Sequence, residues 1–117
     1  MRILVLALAV LASLSACGGG ENEDEEASSK VFKSMGSLQC SGGGVSLSAL
    51  QAQLTAANVQ VRSAACGTDG MALPAVCGIS DGRIGIFEIS PAQAEAAAAA
   101  GFKPLSTVPA AKVIPCT

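Results

Sequence analysis

The sequence has no histidine, tryptophan or tyrosine, and only three of its 117 residues are aromatic. Without histidine, no cysteine in the chain can be paired with an imidazole base, so catalysis by an activated thiol is disfavoured. The acids outside the N-terminal third are few and lie in predicted turns, one strand and surface positions, namely Asp69, Asp81, Glu88 and Glu95. They do not suggest a pair suited to acid–base catalysis. The composition predicts a protein that is not an enzyme and has no cofactor.

Motifs for nucleotides, metals and nucleic acids are also missing. Residues 41–44 (Ser-Gly-Gly-Gly) superficially suggest a phosphate-binding loop before a helix, but the lysine and spacing of a P-loop are absent. We interpret them as a flexible linker. The four cysteines after Cys17 contain no close pair of the C-x₂-C kind, which disfavours a zinc site. The few basic residues of the C-terminal part are scattered without interleaved aromatics, so we expect no nucleic-acid partner.

The first 17 residues have the organisation of an export signal. Arg2 provides a basic start, residues 3–12 are apolar, and the small residues Ser15 and Ala16 precede Cys17. The apolar stretch is about half as long as the roughly 20 residues that a membrane-spanning helix needs. An ordinary cleaved secretory signal is the alternative to the interpretation that follows.

Residues 14–17 (Leu-Ser-Ala-Cys) resemble the lipobox of bacterial lipoproteins. The resemblance implies removal of residues 1–16, a diacylglyceryl group on the Cys17 sulfur, and acylation of the new α-amine. Two or three acyl chains anchor a protein to a bilayer essentially permanently. Gly18, where an aspartate would imply retention at the inner membrane, implies export to the outer membrane by resemblance to Gram-negative lipoproteins. The expected location is the cell envelope, facing the periplasm.

Residues 17–30 are expected to be a disordered tether. Five acids and one base lie between residues 18 and 30, together with glycines and serines that cannot bury surface. Self-repulsion would extend this segment, and repulsion from anionic lipid headgroups would hold the following domain away from the membrane. The folded domain is expected to span residues 31–117.

Cys40, Cys66, Cys77 and Cys116 form an even set in an exported chain, which predicts two disulfides. Three pairings are open. We favour Cys66–Cys77 with Cys40–Cys116, because it closes the loop between two strands and joins the first strand to the C-terminal tail. The rival is Cys40–Cys66 with Cys77–Cys116.

Residues 45–58 predict an amphipathic helix that begins after Ser46 and ends at Asn58, which readily adopts a left-handed conformation. One apolar face follows from the spacing of Leu47, Leu50, Leu54 and Ala57. A second helix over residues 92–100 has Ser90 as its cap, Gln93 to complete a capping box, and Gly101 as its stop.

Four segments predict strands. Residues 59–64 alternate in polarity, whereas residues 84–89 are apolar on both faces and suit a central strand in which Gly85 allows close approach of a neighbour. Residues 33–40 are the weaker first strand and residues 105–108 a short last one. Residues 66–82 form a loop rich in Gly, Asp and Pro.

The element order β-α-β-β-α-β resembles a ferredoxin-like α+β sandwich, a small two-layer fold. The alternative is a smaller α-β-β-α-β unit that lacks the first strand. With three phenylalanines, the core is thin, so the disulfides are expected to matter for stability. We expect a membrane-anchored accessory or binding module in the cell envelope. The alternative is an inhibitor or protein-binding module for an envelope enzyme that acts through residues 66–82.

Overall fold

A computed structural model describes residues 28–116. These residues form a mixed α/β domain with a five-stranded antiparallel sheet, two helices and two disulfides. The strands are β1 Ser29–Ser34, β2 Val61–Thr68, β3 Arg83–Ile89, β4 Lys103–Pro104 and β5 Lys112–Val113. The helices are α1 Leu47–Ala56 and α2 Ala94–Ala99.

The sheet has the strand order β4-β1-β3-β2-β5, and every pair of neighbours is antiparallel. The segment predicted as a central strand does occupy the centre, since β3 pairs with β1 on one side and β2 on the other. Phe87 opposes Val31 of β1 and Ala64 of β2. The two short strands β4 and β5 lie at the edges.

Both faces of β3 are covered. Phe87 and Ile89 belong to the main core together with residues of both helices, while Ile84 and Ile86 are buried on the opposite face. Gly85 lies on the helix side of β3, and a Cβ at this position would come within 2.8 Å of Leu50 Cδ1. The expected close approach at Gly85 is therefore confirmed, and it lets α1 lie directly on the sheet.

Helix α1 begins as predicted, because the Ala49 amide donates to Ser46 Oγ at 3.1 Å. Its apolar face is the predicted one, with Leu50 and Leu54 fully buried. The chain leaves the helix through Asn58, whose φ of 65° is in the left-handed region. Here local sequence and structure agree.

Helix α2 is shorter than predicted and follows a 3-10 turn at Pro91–Gln93. The Gln93 side chain does not complete a capping box. It accepts a hydrogen bond from the Gln60 amide and donates one to the Asn58 carbonyl, both at 2.9 Å, so it joins α2 to the connection after α1.

The predicted stop of α2 at Gly101 is confirmed. Gly101 has a φ of 95°, and the amide of Phe102 donates to the Ala97 carbonyl at 3.0 Å. This hydrogen bond is the one that defines a Schellman motif. It turns the Phe102 ring into the core, 5.7 Å from the Phe87 ring in an edge-to-face arrangement.

Lys33 of β1 connects the two helices across the sheet. Its Nζ donates to the Gln53 side chain of α1 at 2.7 Å and to the Ala100 carbonyl at the end of α2 at 3.1 Å. The same ammonium lies 5.2 Å from the centroid of the Phe102 ring. A cation at the carboxyl end of a helix is favourable because the carbonyl dipoles there are unpaired.

The first strand predicted for residues 33–40 is wrong in position, because β1 occupies Ser29–Ser34. Gly36 and Cys40 have φ values of 73° and 74°, and these left-handed residues end extended structure after β1. Strand β1 thus begins two residues before the expected boundary between tether and domain. Strand β2 is also longer than predicted and includes Cys66, Gly67 and Thr68.

The last strand predicted for residues 105–108 is also wrong. Leu105–Thr107 is a 3-10 turn, in which Thr107 Oγ1 donates to the Pro104 carbonyl at 2.7 Å. Extended pairing occurs on either side of this turn, in β4 next to β1 and in β5 next to β2.

The disulfides are Cys40–Cys77 and Cys66–Cys116, so both pairings weighed from the sequence are wrong. The favoured pairing placed the C-terminal tail beside the first strand. It instead runs beside β2, where the Ile114 amide donates to the Cys66 carbonyl at 2.9 Å. This path brings Cys116 to Cys66 and leaves Cys40 for the loop that contains Cys77.

We predict that Gly67→Ala destabilises the domain and loosens β5. A Cβ at this position would lie 2.7 Å from the backbone carbonyl oxygen of Lys112 and 2.6 Å from Ile86 Cδ1. We expect the free energy of unfolding to fall by about 1–3 kcal/mol, as for other overpacked sites. Denaturant unfolding measures it, and hydrogen exchange at the Ile114 amide should become faster. Gln60→Ala, an exposed control, should change little. Equal stability of Gly67→Ala and the unsubstituted protein would contradict the packing described.

Candidate functional site

The connection between β2 and β3, residues 69–82, is a long loop that is braced at its base. The Asp69 amide donates to the Gly82 carbonyl at 2.8 Å, and Asp69 Oδ1 accepts from the Met71 amide at 2.9 Å. At the other end, Asp81 Oδ1 accepts from the Ser37 hydroxyl at 2.8 Å. Both aspartates therefore hold the ends of the loop. We call residues 69–82 the display loop.

The middle of the display loop is held by Gln39 and by a disulfide. The Gln39 side-chain amide donates to the Pro74 and Ser80 carbonyls at 2.9 and 3.2 Å, and its oxygen accepts from the Val76 amide at 3.0 Å. The next residue, Cys40, forms the disulfide with Cys77. Backbone hydrogen bonds of Gln39 with Gly78 and Ile79 add to these contacts, so a segment with no helix or strand of its own is fixed in place.

The display loop exposes apolar side chains. Met71 is 61% exposed, Val76 49% and Leu73 40%, and Leu38, which pairs with Ser80, is 40% exposed. Several exposed apolar side chains on one loop make that loop the candidate interaction site of the described domain. The predicted loop 66–82 therefore corresponds to the display loop in its larger part, while residues 66–68 belong to β2.

A cleft of about 320 Å³ lies on the helix side of the sheet, where α1 begins and β3 begins. Ser46 and Leu47 at the start of α1, Arg83 at the start of β3, and the Cys66–Cys116 disulfide line it. Sequence reasoning did not find this cleft. Arg83 is about 40 residues from the glycines of residues 42–44, and no local pattern indicates that they meet.

The glycines before α1 shape one side of this cleft. Gly42 exchanges hydrogen bonds with Leu38, at 2.8 and 3.0 Å, so this segment is a turn and not the flexible linker that was predicted. Gly42 and Gly43 line the cleft with φ values of 68° and 80°, and a Cβ at either would meet no atom within 4 Å.

The Arg83 side chain, which lines the cleft, is positioned by a hydrogen bond from one of its two terminal nitrogens. Its Nη2 donates to the Cys116 carbonyl at 3.2 Å, whereas Nε is buried and has no hydrogen-bond partner within residues 28–116. A buried donor without a partner is costly, and because Nε has almost no accessible surface it is not open to a molecule in the cleft.

Glu88 lies half-buried in β3 and is part of neither the display loop nor the cleft. Hydrogen bonds from the Ser28 and Ser63 hydroxyls, followed by the charges of Lys30 and Arg62, lower the pKa of Glu88 from its ordinary value of 4.5. The Ser63 hydroxyl donates at 3.0 Å. These contacts stabilise the carboxylate in its charged form, which suits a structural role in the sheet.

The other acidic residues considered from the sequence do not form one site. Asp69 and Asp81 brace the display loop, and Glu95 is exposed in the first turn of α2. In the part of the chain that the structure describes, no group of three or more His, Cys, Asp or Glu could hold a metal ion. Cys17, the predicted lipidation site, and the tether up to residue 27 lie outside the described residues.

No helix between residues 28 and 116 combines the length and apolar character needed to cross a bilayer. No protein-family model, curated protein or solved structure matches this chain.

We predict that Glu88→Gln flattens the pH dependence of stability in acid. Because the folded-state pKa lies below the unfolded value, the contribution of Glu88 is complete above about pH 4.5 and is lost as the pH falls through the folded-state pKa. Denaturant unfolding at a series of pH values between about 6 and about 2 measures how steeply the free energy of unfolding falls with pH. Ser63→Ala, which removes one hydroxyl donor, should give part of the same effect. Identical slopes for Glu88→Gln and the unsubstituted protein would refute this role.

Proposed function

We propose that the chain is the precursor of a lipid-anchored envelope protein that presents a disulfide-bonded binding module and is not an enzyme. The lipobox-like residues 14–17 support the anchor at Cys17, and Gly18 supports sorting to the outer membrane. The acidic residues between 18 and 30 support a tether that separates the module from the lipid surface.

The two disulfides support an exported location independently of the signal sequence. Cys40 and Cys77 are both exposed, and disulfides persist mainly in oxidising compartments such as the bacterial periplasm. The cysteines of the described domain are all used in these bonds. An exported chain and a pair of structural disulfides are mutually consistent.

We infer that the module is a variant of the ferredoxin-like fold. The strand order β4-β1-β3-β2, with α1 between β1 and β2 and α2 between β3 and β4, supports this assignment. On this interpretation β5 is an addition at the β2 edge. The addition carries the tail that ends in Cys116.

The observation that carries the binding function is the display loop. It presents Met71, Leu73 and Val76 to solvent while Gln39 and the Cys40–Cys77 disulfide hold its backbone. A loop held in one conformation loses less entropy on binding, so affinity is gained without a large interface. We propose a protein of the envelope as partner. If that partner is an enzyme, the module acts as its inhibitor.

Cys17→Ser should abolish lipidation. We expect the unsubstituted mature protein to have the mass of residues 17–117 plus acyl groups and to fractionate with the outer membrane. The Cys17→Ser protein should lack acyl mass and should not be held in the membrane. Intact mass spectrometry and gradient fractionation measure both. A Cys17→Ser protein that is still cleaved at this site and membrane-held would refute the anchor.

A photo-crosslinking residue at Leu73 should trap the partner in intact cells. The same probe at Ala98, which is exposed on α2, is the matched control. We expect one discrete adduct from position 73 that is absent from position 98 and is lost when Met71 and Val76 are both replaced by serine. If the crosslinked partner is an enzyme, the purified module should inhibit that enzyme at stoichiometric concentration. Equal crosslinking from both positions would contradict binding through the display loop.

A further inference from the structure

We propose that the cleft between the start of α1 and the start of β3 binds a small zwitterion of the α-amino acid class with an aliphatic side chain. The proposal goes beyond the function proposed above, because the cleft is lined by different residues from the exposed apolar ones of the display loop. It stands on the charges and the apolar surface that the cleft brings together.

Part of the cleft lining suits a carboxylate. Arg83 lines the cleft, and because its Nη2 donates to the Cys116 carbonyl, Nη1 is the guanidinium nitrogen left to donate to a ligand. Helix α1, which is ten residues long, begins at the same place and has no acid in its first turn. The Ser46 hydroxyl accepts from the Ala49 amide and shares a hydrogen bond with the Ser48 hydroxyl, and both groups are uncharged, so no side-chain charge neutralises the positive end of the helix.

The cleft lining also carries the opposite charge. Asp81 lines it, and the hydrogen bonds to Asp81 come from the Ser37 hydroxyl and the Arg83 backbone amide. No ion pair joins the carboxylate of Asp81 to the guanidinium of Arg83 within residues 28–116. A simple anion would be repelled by Asp81, whereas a ligand with an ammonium group as well as a carboxylate complements both residues.

The remaining lining is apolar. Met35, Val45 and Leu47 contribute to it, and Gly42 and Gly43 leave open space where side chains would otherwise stand. The volume of about 320 Å³ is at the lower end of the range of about 300–1,000 Å³ for small-molecule pockets. The volume of the cleft, its apolar surface and its two separate, opposite charges together favour an aliphatic amino acid such as leucine.

The test is titration of the ¹⁵N-labelled domain with L-leucine, followed by amide chemical shifts. Two matched probes each lack one charge: 4-methylpentanoate has no ammonium, and 3-methylbutylamine has no carboxylate. The variants are Arg83→Gln, Asp81→Asn, which keeps an acceptor oxygen for Ser37, and the exposed control Lys103→Gln. Val45→Glu is a further variant, because Val45 is 42% exposed and its replacement should not impair folding.

Leucine should shift the amides of residues 42–47 and 81–83, and both single-charge probes should bind at least about tenfold more weakly. The affinity for leucine should fall by a similar factor in each of three variants, Arg83→Gln, Asp81→Asn and Val45→Glu. It should be unchanged in Lys103→Gln. The proposal is overturned if leucine shifts no amide of the cleft, if 4-methylpentanoate binds equally well, or if folded Val45→Glu binds leucine as tightly as the unsubstituted protein.

Discussion

The Cys66–Cys116 disulfide is the constraint on which much of this domain depends. It joins a buried position near the end of β2 to the C-terminal tail, and the tail then forms β5 beside β2. The Cys116 carbonyl also accepts the hydrogen bond that holds Arg83 over the cleft. Closing a loop of this length, with a sequence separation of 50, contributes about 4 kcal/mol in the chain-entropy account of disulfides. One covalent bond therefore fixes the edge of the sheet and one wall of the cleft.

The core that the disulfides support is small and closely packed. Phe87 and Phe102 pack edge to face, and Gly85 allows α1 to lie on β3 without an intervening side chain. Lys33 adds a polar connection between Gln53 of α1 and the carboxyl end of α2 above this core. A small domain gains limited stability from burial alone, which explains why its longest loop and its tail are both covalently tied.

The sequence predicted what short-range rules determine. The cap at Ser46, the left-handed exit at Asn58 and the stop at Gly101 depend on neighbouring residues, and each is found as expected. The pairing of Cys40 with Cys77 depends on how the chain returns to itself, and no local pattern records that path. The sequence does not predict the cleft for the same reason. Arg83 and the glycines before α1 are far apart along the chain, and only the folded sheet brings them to the same cleft.

Both candidate surfaces depend on the disulfide connectivity, because Cys40–Cys77 fixes the display loop and Cys66–Cys116 closes the cleft. The most direct measurement is therefore peptide mapping by mass spectrometry under non-reducing conditions. The account predicts one linked peptide pair that contains Cys40 and Cys77 and a second that contains Cys66 and Cys116. A peptide linking Cys66 to Cys77 or Cys40 to Cys116, or free thiols at these four positions, would contradict it.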